Sequence, residues 1–124
     1  MTTAQLLQDM TTEKIATDFE EVCIAQDKWL AHGQTSKFNK AYDLVETMMA
    51  ELKSREPDQR AVLTRLYRHP NRQVRFSAAI YTLALFPDQA RAVLQILSDR
   101  DEYPQAANAR MIMDGLDDGS FVPT

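Results

Sequence analysis

Residues 69–87, HPNRQVRFSAAIYTLALFP, decide the fold. Pro70 disfavours helix at the residue before it, so a preceding helix closes at His69. Asn71 suits the N-cap of the next helix, where its side chain accepts backbone N–H groups. Val74, Ala78, Tyr81 and Leu85 then form one face, with Ala79 and Leu83 flanking it. The small residues at 77–79 let a neighbouring helix approach closely. Pro87 ends the run and suits the first turn of a following helix. The stretch therefore reads as turn, helix, turn: one helical hairpin stacked on others.

The same periodicity extends in both directions. Residues 13–31 carry Ile15, Phe19, Val22, Cys23, Trp29 and Leu30 on a nearly regular three-and-four spacing, interrupted by Gln26. Thr11 or Thr12 caps the start, and His32-Gly33 suits the stop. A second helix from about Ser36 shows Phe38, Tyr42, Val45, Met48, Met49 and Leu52, and closes with Lys53, Arg55 and Pro57. Pro57 also suits the first turn of a third, shorter helix with Ala61, Leu63, Leu66 and Tyr67. After Pro87, a fifth helix presents Ala90, Val93, Leu94 and Leu97. SDRDEYPQ, residues 98–105, is a turn with acidic caps. The sixth helix carries Ala106, Ala109, Met113 and Leu116, and Gly115 and Gly119 weaken it towards a tail, DDGSFVPT. Residues 1–11 read as an extension. No segment shows a convincing period of two, which predicts an all-α protein.

An internal repeat supports this layout. PDQRAVLTRL at 57–66 matches PDQARAVLQIL at 87–97, and NRQVRFSAA at 71–79 aligns loosely with YPQAANARM at 103–111. The offset of about 30–32 residues is that of two-helix solenoid units. The expected architecture is a single domain, 1–124, folded as a short α-α superhelix of about six helices in three antiparallel pairs. A four-helix bundle with additions is the alternative.

HPNRQVRFSAA resembles the core of a HEAT repeat in Pro70, Asn71, Val74, Arg75, Ala78 and Ala79, with His69 where many such repeats have Asp. The third pair keeps the small residues but lacks Val-Arg. The order of AQDKWLAHGQTSKFNKAYDLV (25–45), HPNRQVRFSAA and ANARMIMDGLDDGSF (107–121) resembles a short bacterial family designated a domain of unknown function, DUF2019. That resemblance implies an α-α superhelical fold. It brings no assigned activity and no catalytic residue.

Composition narrows the chemistry. The chain has 124 residues, 44% hydrophobic and 26% charged, which is ordinary for a globular domain. No apolar run approaches the roughly 18 residues of a membrane span, and the N-terminus MTTAQLLQDM lacks the features of a secretory signal. One cysteine fits a reducing compartment, so the expected location is cytoplasmic. Cys23 falls on an apolar stripe and reads as an inert buried thiol. His32 and His69 sit at inferred helix ends without partners at metal-ligand spacing. No phosphate loop, nucleophile elbow or dinucleotide fingerprint occurs, so no cofactor, metal or catalytic residue is expected. Glu20-Glu21 and Asp117-Asp118 are adjacent pairs whose side chains diverge, which suits solvated surface better than acid–base chemistry.

Charge is the more informative signal. Residues 53–75 hold Lys53, Arg55, Arg60, Arg65, Arg68, Arg72 and Arg75 against Glu56 and Asp58, a net of +5 within a chain of net −4. Residues 1–52 carry −5 and residues 76–124 carry −4. Three readings of this arginine belt stand: pairing with acids of neighbouring helices, a surface for an acidic protein, or a nucleic-acid backbone site. The last is disfavoured by few interleaved aromatics and by the acidic remainder. Arg75 is expected to be structural, beside core residues Val74 and Ala78. Arg68 and Arg72 are expected to be more exposed than Arg75 and available to a partner. Trp29 and Tyr42 fall on apolar stripes, so core packing is the default and a hot-spot role the alternative; Tyr42 joins Arg68 and Arg72 as a candidate partner-binding residue. The expected function is a small cytosolic protein-interaction module without catalysis: an adaptor or blocking protein, a toxin-immunity protein among the forms it could take. The alternatives are a nucleic-acid-associated helical-repeat protein using belt 53–75 and an enzyme with no recognisable motif.

Overall fold

The computed structural model describes residues 1–124, all-helical and without strands. The chain divides into two compact units, Met1–Val62 and Leu63–Thr124.

The first unit contains α1 (Thr3–Gln8), α2 (Thr12–Ala31) and α3 (Thr35–Ser54), with α3 packed against both others. The expected N-terminal extension is thus partly helical. Thr2 and Gln5 form a reciprocal capping box: Gln5 N donates to Thr2 Oγ1 at 3.2 Å and Thr2 N to Gln5 Oε1 at 2.7 Å. Ile15, Phe19, Cys23 and Gln26 form the buried stripe of α2, so Gln26 continues the stripe that its polarity interrupts in the sequence. Its Nε2 donates to Phe38 O at 3.5 Å. α2 stops in a Schellman motif. Gly33 adopts φ 68°, Gly33 N bonds Leu30 O, and Gln34 N bonds Trp29 O at 2.8 Å. Ala41, Val45, Met48, Met49 and Leu52 are the buried face of α3.

Arg55, just past α3, fastens this unit. Its guanidinium donates to Leu7 O, Met10 O (2.7 Å), Thr12 Oγ1 and Glu51 Oε2 (2.8 Å). It adds donors to backbone carbonyls where α1 gives way to α2.

Gln59–Leu66 is a 3-10 helix, across which the division between units falls. An α-helix is the expectation from its likeness to 87–97; the shorter form has a local cause. Asp58 Oδ1 accepts from Arg60 N at 3.0 Å, and both its oxygens accept from the Arg60 guanidinium. This turn tightens the entry, and side chains then eclipse every third residue. Arg60 and Leu63 are both buried on that spacing.

The second unit holds α4 (Arg72–Thr82), α5 (Pro87–Asp99) and α6 (Gln105–Asp118), each packed against the other two. Asn71 caps α4 by accepting from Gln73 N at 2.9 Å and Val74 N at 3.1 Å. α4 is buried around most of its circumference, with Val74, Ala78 and Ala79 fully enclosed. It ends sooner than the sequence suggests, at Thr82, whose hydroxyl turns back on Ala78 O at 2.7 Å. The chain then turns, so Leu83 enters the core while Leu85 is only half-buried. Phe76, Ala79, Leu83, Ala90, Val93, Leu94, Leu97, Ala109 and Met113 form the core. Gln73 and Gln105, equivalent positions of the sequence repeat, meet inside it: Gln105 Nε2 donates to Gln73 Oε1 at 2.8 Å.

Gly115 lies inside α6. The tail folds back there, with Phe121 N bonding Gly115 O at 3.0 Å, and a Cβ on Gly115 would stand 2.9 Å from Phe121 Cβ. The glycine that weakens the helix in the sequence is the one that admits the tail.

Candidate arginine cleft

The turn at 67–70, the side of α4 and the end of α5 enclose a cleft in the second unit. Tyr67, Arg68, His69, Pro70, Arg75, Ile96, Arg100 and Glu102 line about 460 Å³. Local chemistry sets each wall. His69 Nδ1 accepts from Asn71 N at 2.9 Å, which ties the turn to the start of α4. The Tyr67 hydroxyl pairs with Thr82 Oγ1 at 2.5 Å; burial raises the phenol above its ordinary value, and the Thr82 bond opposes that rise.

α5 ends in a second Schellman motif. Asp101 takes the left-handed position at φ 51°, Asp101 N bonds Ser98 O, and Glu102 N bonds Leu97 O. Aspartate tolerates this conformation better than most residues. Its carboxylate also accepts from Arg110, whose guanidinium lies 5.3 Å from the centre of the Tyr103 ring. The motif delivers Glu102 to Arg75. Arg75 grips it with two bonds, Nη1 to Oε2 at 2.8 Å and Nη2 to Oε1 at 2.7 Å, and reaches Pro70 O at 3.5 Å. The Arg75 side chain is 12% exposed and that of Glu102 23%. The bond from Arg75 holds Glu102 below the usual glutamate range; burial opposes this, and the charges of Arg75, Arg100 and Arg72 reinforce it.

The cleft carries a surplus of positive charge. Arg68, Arg75 and Arg100 line it against one carboxylate, and Arg68 and Arg100 are exposed. Arg72 is less open to solvent than Arg68. It is half-buried, and its charge acts on Glu102. The i, i+3 spacing that puts Arg72 and Arg75 on one side of α4 directs both toward the same acid. Tyr42, expected to share the surface, lies on α3 in the other unit, 48% exposed and bonded to Glu46. Arg100 and Glu102 were not legible as site residues, because 98–105 reads only as an acidic turn, and Ile96 lies off the apolar face that the sequence marks in the fifth helix.

The belt 53–75 is therefore divided among roles. Arg55, Arg60 and Arg75 are engaged within their own units, while Lys53, Arg65 and Arg68 are exposed. Cys23 is fully buried, His32 is an exposed C-cap, and Asp117 and Asp118 serve different partners, Arg91 and Ser120 N. No three of the His, Cys, Asp and Glu side chains are grouped as ligands of a metal ion.

A family model described as a domain of unknown function, DUF2019, matches residues 13–117, which hold α2 through α6. The chain belongs to that family. It is also similar to a solved structure, that of the protein RPA1889 from Rhodopseudomonas palustris CGA009. The two are 41% identical, with a TM-score of 0.93 over 95% of this chain and 98% of that one. No curated protein matches the chain.

Proposed function

We propose that this protein is a small cytosolic, non-catalytic interaction module of the adaptor or blocking kind. Its arginine cleft receives an acidic segment of a protein partner. The observation that carries this reading is the imbalance of the cleft, with Glu102 the one carboxylate beside Arg68, Arg75 and Arg100. Arg75 and Glu102 satisfy each other, which leaves two exposed guanidiniums on the rim. Guanidinium forks recognise carboxylates bidentately, and arginine and tyrosine are enriched among binding hot spots. Tyr67 and Ile96 supply apolar wall beside the charges. Residues 76–124 carry a net −4, so within this unit an incoming acidic segment is steered to the cleft.

The test is affinity capture from the native lysate with the wild-type chain and with Arg68→Glu/Arg100→Glu. The reading expects a partner held by the first and lost from the second, with the second still cooperatively folded. Retention of every partner by the double variant would overturn it. Salt-dependent binding of generic duplex DNA would favour the nucleic-acid alternative instead.

A further inference from the structure

The unit Met1–Val62 carries a concavity of different character. Beside the turn that joins α2 to α3, a slot of about 280 Å³ is lined by Val22, Trp29, Lys37, Lys40, Ala41 and Leu44. Val22 and Trp29 lie two turns apart on α2, and the other four follow a three-and-four spacing on α3, so one side of each helix faces the slot. Ala41 contributes only a methyl group to this lining. Trp29 is half-buried and forms a wall there. Lys37 and Lys40 lay their stems along the apolar lining while they remain exposed.

The local charge is unexpected. Residues 1–52 carry nine acids against four lysines, yet no carboxylate lines the slot and two of those lysines do. A third, Lys14, is paired with Asp18 at 2.8 Å.

We propose that this slot is an anchor site for a protein segment that presents a leucine-sized side chain with carboxylates one helical turn away. The depression is shallow and its lining apolar, which suits a single anchoring side chain better than an enclosed small molecule. Trp29 supplies the rigid aromatic surface typical of hot spots. The paired lysines select acidic flanks and reject basic ones. The slot shares no residue with the arginine cleft, so the two sites are separable by mutation.

Trp29 is the sole tryptophan, so its emission reports occupancy directly. The probe is a short alanine-based helical peptide with one leucine and glutamates three and four residues further on; its control replaces the glutamates with lysines. The acidic peptide should shift Trp29 emission to the blue and saturate below about 1 mM, at least about tenfold tighter than the control. Ala41→Leu, which fills the slot without changing charge, should weaken binding about tenfold or more. The exposed pair Lys37→Glu/Lys40→Glu should do the same with helix content unchanged, and Arg68→Glu/Arg100→Glu should leave it intact. No saturable shift, equal binding of the lysine peptide, or full binding by Lys37→Glu/Lys40→Glu would overturn the proposal. Binding lost only in Arg68→Glu/Arg100→Glu would assign the peptide to the arginine cleft and overturn it equally.

Discussion

Arg75 shows how one side chain acquires its role. Its neighbour Val74 is fully buried, and a step of about 100° round the helix brings Arg75 to the edge of the packed face. There it meets Glu102, 27 residues on, in a two-bond fork. Arg75→Ala leaves Glu102 without that partner and should lower stability by about 1–3 kcal/mol, measurable by urea unfolding. Arg75→Lys keeps the charge but loses the fork, and should recover only part of that loss. The pH dependence has a definite sign. Glu102 is held below its ordinary value, so its stabilising contribution is complete above that value and fades as pH falls through the lower folded one. Glu102→Gln should accordingly lose less stability than wild type between about pH 5 and pH 2. Arg55 is the corresponding fastening in the first unit. Arg55→Ala removes donors from two backbone carbonyls and should expose α1 to limited proteolysis.

At the scale of elements, near-identical segments adopt different helices. PDQRAVL and PDQARAVL differ by one inserted alanine. In the first, Asp58 captures both the backbone and the side chain of Arg60, and a 3-10 helix results. In the second, Asp88 is exposed in the first turn of an α-helix, where an acid favours the N-terminal end of the dipole. α4 is the most enclosed element of its unit. Ala78→Glu would bury a charge at a fully enclosed position and should cost several kcal/mol, visible as a large fall in melting temperature. α6 supports a finer prediction. Gly115→Ala gains about 1 kcal/mol of helix propensity but forces Phe121 away, because their Cβ atoms would lie 2.9 Å apart. The unfolding midpoint should move little, while the Phe121 amide loses its protection from hydrogen exchange.

At the scale of the whole molecule, charge distribution separates what folds the chain from what is left for recognition. The net of −4 conceals a basic segment, 53–75, most of whose anchoring arginines are engaged inside their own units. Of its exposed cations, Arg68 is brought together with Arg100, from outside the segment, by the packing of the second unit. Arg68→Glu/Arg100→Glu should therefore change stability by no more than about 1 kcal/mol, the sum of two ordinary surface substitutions. No helix is long and apolar enough to cross a membrane.

The sequence by itself determined the helices and most of their ends. Apolar spacing, Asn71, Pro87 and His32-Gly33 are local signals, and helix geometry depends on neighbours three and four residues apart. A capping box was equally present in Thr2 and Gln5, the clue to α1. Tertiary structure alone decided which distant groups meet. Glu102 at Arg75, Leu7 and Met10 carbonyls at Arg55, Gln105 at Gln73 and Phe121 on Gly115 all depend on how elements pack and turn. A guanidinium's type announces that it needs acceptors, but helix packing chooses them. Both clefts follow the same rule: their residues are legible one by one, and only packing leaves Arg68 with Arg100 or Trp29 beside Ala41 with space between them.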